Sequence, residues 1–278
     1  MPRTGERTDV IEGFGDEWAR FDQSALSDEE RAIAFDAYFE VFPWNELPDN
    51  AIGFDLGCGS GRWAAEVAPR VGTLHCVDPS DAIDVARRNL AKHRNVVFHK
   101  RTAASLPFEP GSMDFGYTLG VLHHVEDTEG ALRAAVQALK PGAPLLVYLY
   151  YAFDNRPRWF RALWRVSDVM RRGISHAPNP VRHLICDGLA GSVYYPLARG
   201  AALAERFGID VEHWPLSAYR HRSFYCMRTD SLDRFGTRLE KRYTRHQMET
   251  LLRNAGLRDI RFCSSVFWCA VGNRSNDP

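Results

Sequence analysis

Residues 51–62 read AIGFDLGCGSGR, and the rest of the chain is organised around them. Ile52 and Phe54 mark a short apolar run that ends in Asp55. Gly57, Cys58, Gly59, Ser60 and Gly61 follow, and then helical spacing takes over. A buried strand, a glycine-rich turn and the first turn of a helix produce that pattern. Glycines in such a turn take positive φ and bring backbone N–H groups close to a ligand. The loop alone is common to many nucleotide folds. Two acids sharpen the reading. Asp55 stands just before the glycines, where a phosphate-binding loop disfavours a carboxylate. A second strand, Gly72 to Val77, ends in Asp78, at about the 20-residue spacing of an acid that bonds a ribose diol.

Two carboxylates around one pocket suit a ligand with an ammonium group and a ribose but no phosphates. S-adenosylmethionine is such a ligand. From residue 51 onward strand and helix patterns alternate, which predicts a parallel sheet with helices on both faces. Strands are expected at 51–55, 72–78, 96–99, 113–119 and 143–150. Helices are expected at about 61–68, after Pro79 with Ser80 as cap, and at about 129–139. Ahead of the sheet, residues 1–12 are polar and expected to fray. Phe14, Trp18 and Phe21 recur at helical spacing, and Ser27 with Glu30 forms a cap signature for a helix over about 28–42.

Further motifs appear in a fixed order: Leu106-Pro107-Phe108, Met113-Asp114-Phe115, Val121-Leu122-His123-His124-Val125 and Leu139-Lys140-Pro141-Gly142. With the opening loop, they make the chain resemble class I S-adenosylmethionine-dependent methyltransferases, in the small-molecule, ubiquinone/menaquinone-methyltransferase-like branch. The likeness resumes at Tyr243-Thr244, a helix over 245–255, Gly256-Leu257 and strands near 257–263 and 266–272. The resemblance implies an α/β fold: a Rossmann-like, doubly wound, seven-stranded sheet, mostly parallel with the last strand antiparallel, carrying a mainly helical lid insertion. Residues 1–150 and 243–278 would then form the cofactor-binding domain, with 1–48 as a helical cover, and 151–242 the insertion over the acceptor.

The resemblance also assigns roles. Asp55 holds the loop and the methionine ammonium, and Gly57, Cys58, Gly59 and Gly61 give backbone contacts to the methionine part. Asp78 takes the ribose hydroxyls. Pro79, Ser80 or Ile83 flank the adenine, and Leu119 and Gly120 lie beside the reactive centre. Arg62 is set to pair with the methionine carboxylate, although a surface helix position suits it equally. Phe14 and Trp18 fold over the cofactor as a cover. The family usually bonds the adenine amino group with an acid before the Leu-Pro-Phe segment. Thr102 and Ala103 stand at those positions here, so a hydroxyl or backbone group must serve. For a general base the candidates are His123, His124, His221 and Tyr225; no metal site is expected.

Inside the insertion, Trp159, Phe160, Leu163, Trp164 and Met170 interleave with Arg158, Arg161, Arg165, Arg171 and Arg172, an amphipathic basic helix. Two further helical patterns run through 181–193 and 197–207, and 213–225 is dense in aromatics, arginine and histidine. The acceptor expected is a small molecule, anionic, aromatic or lipid-linked. The arginines would bind its carboxylate or phosphate, rest on a membrane surface, or form a solvated basic face. Formal net charge is zero over 278 residues, which gives no support to nucleic-acid coating. The six cysteines show no zinc-ligand spacing, and several lie in apolar strand-like runs where a free thiol is a small core residue. The opening segment MPRTGERTDV has no apolar signal region and no run is long enough to span a bilayer, so a cytoplasmic setting is expected. S-adenosylhomocysteine would be the product. A nicotinamide-dependent oxidoreductase and a non-catalytic S-adenosylmethionine-binding protein are the competing readings; Asp55 and the Leu-Pro-Phe and His-His segments oppose the first.

Overall fold

The computed structural model describes residues 8–264 and 267–276. Residues 1–7 of the expected cover and Val266 of the expected last strand lie outside them. The chain forms two compact units: 1–23 with 31–154 and 239–278, and 24–30 with 155–238.

The first unit is built on a seven-stranded sheet. In chain order its elements are α1 (Thr8–Arg20), α2 (Asp28–Phe39), β1 (Ile52–Leu56), α3 (Ala64–Val67), β2 (Thr73–Val77), α4 (Ala82–Asn89), β3 (Val96–His99), β4 (Phe115–Leu119), α5 (Thr128–Ala138) and β5 (Pro144–Tyr148). After the insertion come the helix Arg245–Asn254 and the strands β6 (Leu257–Phe262) and β7 (Cys269–Arg274). The strand order is β3-β2-β1-β4-β5-β7-β6. β7 runs antiparallel to both its neighbours, and the rest of the sheet is parallel. The order reverses beside β1, the switch point where open α/β sheets bind ligands.

Each face of the sheet has its own apolar core. One buries Phe35 and Phe39 of α2, Ala64 and Val67 of α3, and Ile83, Ala86 and Leu90 against Leu74, Cys76 and Tyr117. The other buries Leu132 and Val136 of α5 with Met248 and Leu252 against Phe54, Leu145 and Val147. Both faces being covered explains why the central strands read as near-continuous apolar runs. β1 and β4 interlock through two aromatic–glycine pairs. Gly53 faces Phe115 and Phe54 faces Gly116 in the register. A Cβ on Gly53 would meet the Phe115 ring at 2.2 Å, and one on Gly116 would meet the Phe54 ring at 2.3 Å.

Several boundaries differ from expectation. Residues 8–12 belong to α1 instead of fraying. The helix expected to reach 42 ends at Phe39, ahead of Pro43. α4 starts at Ala82; Ser80 lies two residues earlier and accepts from the Ala82 N–H at 3.2 Å. The terminal helix opens with the capping box Thr244–Gln247.

The second unit holds α6 (Arg158–Ile174), α7 (Asn179–Leu189), α8 (Tyr195–Arg206) and α9 (Phe224–Gly236), which makes Arg245–Asn254 α10. A wide turn of helix, Ala190–Tyr194, joins α7 to α8. α9 begins inside 213–225, the stretch dense in aromatics, arginine and histidine for which the sequence pattern assigns no element, and is capped by Ser223 on the Cys226 N–H. Cys186, Ala190, Ala198, Met227 and Leu232 are buried in this unit. No described helix is long and apolar enough to cross a membrane.

The interlock gives a stability prediction. Gly116→Ala should cost about 1–3 kcal/mol in urea unfolding, because the added methyl meets a ring held by the strand pairing. Combining it with Phe54→Leu should cost less than the sum of the two single changes; strict additivity would show that the ring and the glycine do not meet.

Candidate functional site

β1 delivers Asp55 to the sheet edge, in register with Cys76 on β2 and Tyr117 on β4. The chain then turns sharply. Gly57 and Cys58 donate to the Val77 carbonyl at 2.7 and 3.1 Å, and Gly61 donates to Cys58 at 2.8 Å. Gly57, Gly59 and Gly61 all have positive φ, and a Cβ on Gly57 would overlap the Val121 side chain at 2.3 Å. A side chain is therefore excluded there by both conformation and space.

Asp78, at the end of β2, ties the loop down. Its Oδ2 accepts from the Gly59 N–H at 2.9 Å; its Oδ1 accepts from the Ser80 N–H at 2.9 Å and the Ser80 hydroxyl at 2.6 Å. Burial raises its pKa, while the Ser80 and Gly59 hydrogen bonds oppose that rise. A carboxylate has about four acceptor positions, so these three bonds leave one for a ligand hydroxyl.

Asp55 is in the opposite condition. It is 1% exposed and its Oδ2 has no hydrogen-bond partner among the described residues. Burial pushes its pKa up to about 8; the neighbouring Tyr117 hydroxyl pulls it down and the charge of Asp78 adds to the rise. Tyr117 sits beside Asp55 without a hydrogen bond of ordinary geometry. The Ser60 hydroxyl and Arg62 Nε are also buried and unpartnered, and the Arg62 guanidinium lies 4.2 Å from the Trp63 ring. Unsatisfied buried polar atoms are rare and call for an explanation. A ligand bringing an ammonium group and a carboxylate would satisfy those on Asp55 and Arg62. The residues present thus fit an amino-acid-bearing cofactor. Ser60 and Tyr117 escape sequence reasoning; the only signal for them is their adjacency to the loop and to Asp55.

α1 lies across this loop. A Cβ on Gly59 would meet the Trp18 indole at 3.0 Å, one on Gly15 would stand 3.6 Å from the Asp81 nitrogen, and the Phe14 ring is 4.9 Å from that of His124. Asn89 clamps the far end, donating to the carbonyls of Asp22 and Ser60. The loop side chain Cys58 is buried, and burial together with Cys76 raises its thiol pKa. Pro79 is half-buried beside Asp78, whereas Ile83 is sealed in the core. Thr102 is half-buried with its hydroxyl 3.1 Å from that of Ser105, and Ala103 is buried. Leu119 ends β4 and Gly120 turns the chain at φ 78°.

The two histidines after β4 differ. His123 is fully buried, stacks on Tyr150 at 3.7 Å, and takes the Tyr150 N–H on Nδ1 at 3.4 Å. Burial, then His124 and Arg242, hold its pKa well below the usual imidazole range. Its lone pair is engaged, so the proton sits on Nε2 and the ring has none to accept. His124 Nδ1 lies 2.6 Å from the Leu239 carbonyl and must donate to it, which leaves Nε2 as the basic nitrogen. His221 and Tyr225 belong to the second unit, where His221 lies 2.8 Å from Glu205 and Tyr225 is in the first turn of α9. No cluster of metal-ligating side chains occurs among the described residues.

Residues 54–147 match the family model described as "Methyltransferase domain". The chain is 30% identical over 117 residues to norajmaline N-methyltransferase of Rauvolfia serpentina, covering 40% of this chain and 39% of that protein. It is 29% identical over 142 residues to 2-phytyl-1,4-naphtoquinone methyltransferase of Thermosynechococcus vestitus, covering 48% and 63%. It thus spans less than two thirds of the length of either relative. The solved S-adenosylmethionine-dependent methyltransferase SibL, in its apo form, superposes with a TM-score of 0.52 at 15% identity, over 93% of this chain and 62% of that one, which shows a shared fold.

The buried carboxylate sets a pH dependence. Folded Asp55 holds its proton up to about pH 8, and the unfolded chain releases it near 3.8, the ordinary value for an aspartate. Between those values the folded state binds more protons, so this group's contribution to stability is full below about 4 and is lost as pH rises through 8. Asp55→Asn should remove that slope, up to about 1.4 kcal/mol per pH unit, from a series of thermal or urea unfolding midpoints without ligand. A slope identical to wild type would show that Asp55 is ionised throughout.

Proposed function

We propose, from the premise that the chain belongs to the class I S-adenosylmethionine-dependent methyltransferases, that it moves a methyl group from S-adenosylmethionine to a small-molecule acceptor by direct in-line displacement. The observation that carries this reading is the buried, unpartnered Asp55 oxygen beneath a three-glycine loop whose far side is held by Asp78. S-adenosylmethionine supplies a methyl already activated by its sulfonium. The protein must align it, exclude water and, for a hydroxyl acceptor, remove a proton.

In this reading Asp55 receives the methionine ammonium, directly or through water, and ionises as it does so. Arg62 receives the carboxylate. Gly57, Cys58, Gly59 and Gly61 supply the backbone around the methionine part, and Asp78 uses its remaining acceptor position for the ribose. Pro79, Ser80, Thr102 and Ala103 frame the adenine. Leu119 and Gly120 border the reacting carbon, and Phe14 and Trp18 on α1 cover it. Alignment of this kind supplies up to about 7–11 kcal/mol in the best cases, and a positioned base adds about 10²–10⁴-fold. His124 is the base candidate that geometry favours, because His123 has its lone pair engaged. O-methylation gives a base more to do than N- or C-methylation. Dinucleotides fit poorly, since a carboxyl group, Asp55, stands directly before the glycine loop where their phosphates would lie.

The direct test incubates the protein with methyl-labelled S-adenosylmethionine and, separately, metabolite fractions and RNA. Label should enter a small-molecule fraction; label in RNA, or in nothing while the cofactor binds, would overturn the proposal. Asp78→Ala should weaken calorimetric S-adenosylmethionine binding at least tenfold, about 1.4 kcal/mol. Unchanged affinity counts against the ribose role. His124→Gln should lower kcat by about 10²–10⁴-fold while sparing cofactor affinity. Unchanged turnover rules that ring out as the base.

A further inference from the structure

A surface helix of a water-soluble domain normally turns its apolar stripe to the core. In α6 the arrangement is reversed. Trp159, Leu163, Val166 and Met170 fall on one stripe at helical spacing, with Val169 at its edge, and all five are open to solvent: Val169 is 70% exposed, Val166 62% and Trp159 54%. The inward side carries buried charges beside the half-buried Phe160 and Trp164. Asp168 and Arg171 are buried and paired at 2.8 Å, Arg171 donates to the Thr237 carbonyl at 2.8 Å, and Arg234 stands 3.9 Å from Asp168. The basic residues that the sequence places on a solvated face are therefore divided between an inner ion-pair network and the flank of an exposed apolar stripe.

That flank is uniformly basic. Arg158 and Arg165 are exposed and make no ion pair among the described residues, and Arg172 is exposed beyond its pairing with Asp168. Asp168 is the only acid in α6, and it is buried. The same unit continues the pattern. Leu184 on α7, Leu203 on α8 and Phe207 just after α8 are 75%, 56% and 77% exposed.

We propose that the outer face of α6 docks the protein on an anionic lipid surface. Apolar side chains at this density with arginines on the flank are what a helix lying in a bilayer interface requires, the apolar face sinking about 5–10 Å and the cations meeting headgroup phosphates. The attraction of each basic residue to such a surface falls off within about one Debye length, ~10 Å at tenth-molar salt. Trp159 at the helix start is the side chain type that prefers the interface. Charge decides against a second copy of the chain as the occupant: two such faces would bring arginine against arginine with no outward acid on α6 to compensate. The inference concerns the second unit alone and does not depend on the acceptor or on the reaction.

The test sediments the full chain with vesicles of phosphatidylcholine alone and of phosphatidylcholine with phosphatidylglycerol. Binding should appear with the anionic vesicles and fall as salt rises. Val166→Asp combined with Val169→Asp should lower the partition coefficient at least about tenfold, and Arg158→Glu with Arg165→Glu should do the same for the anionic vesicles only. These positions are exposed, so circular dichroism and S-adenosylmethionine affinity should be unchanged. In the wild type, hydrogen exchange over 158–174 should slow when anionic vesicles are added. No binding to anionic vesicles overturns the proposal, as does wild-type partitioning by both double variants. A concentration-dependent dimer that Val166→Asp dissociates, with no vesicle binding, would assign the face to a second copy.

Discussion

One carboxylate holds the first unit's ligand-facing edge together. Asp78 leaves the end of β2 and binds backbone on two separate turns, the Gly59 N–H of the loop after β1 and the Ser80 N–H ahead of α4. Hydrogen bonds to an ionised acceptor are about twice as strong as neutral ones. Here they fix the loop's three left-handed glycines against the neighbouring strand. The carbonyl of Val77, one residue earlier, takes Gly57 and Cys58 in the same cradle. Without that anchor, nothing in the loop's own sequence would choose this conformation over the many that glycine allows.

The same edge stores an electrostatic imbalance. Asp55 is buried with an empty oxygen beside Tyr117, and burial favours its neutral form. A group in that condition costs stability when ionised and gains when a cation arrives. This edge of the sheet thus holds an unpartnered carboxyl at the expense of the folded state, and the cost falls on a residue already braced by β2 and β4. Asp78 and Asp55 divide the work: one carboxylate is committed to the backbone and the other is left wanting a partner.

In the second unit one helix turns an apolar stripe outward. Its α6 packs an Asp168–Arg171–Arg234 network inward and leaves valines and leucine in water. Buried ion pairs contribute little net stability once desolvation is counted, so the network is better understood as fixing which side of α6 faces in. The consequence is an outer surface whose chemistry suits lipid.

From the sequence alone the alternation of strands and helices, and with it the parallel sheet, and the loop were legible, because each depends on local rules. Apolar runs ending in Asp55 and Asp78, glycines between them, and caps such as Thr244–Gln247 act within a few residues. Three features were not legible. α9 begins within a segment whose aromatic pattern names no element, and its buried Ser231 hydroxyl donates to the Cys186 carbonyl of α7, 45 residues away. The difference between His123 and His124 rests on the Tyr150 N–H and the Leu239 carbonyl, 27 and 115 residues away. The outward direction of the α6 stripe rests on Thr237 and Arg234, far along the chain. A helical period tells which residues share a side, and a strand pattern tells which residues end together. Which side is buried, and which lone pair is already engaged, depends on partners that only the folded chain brings within reach.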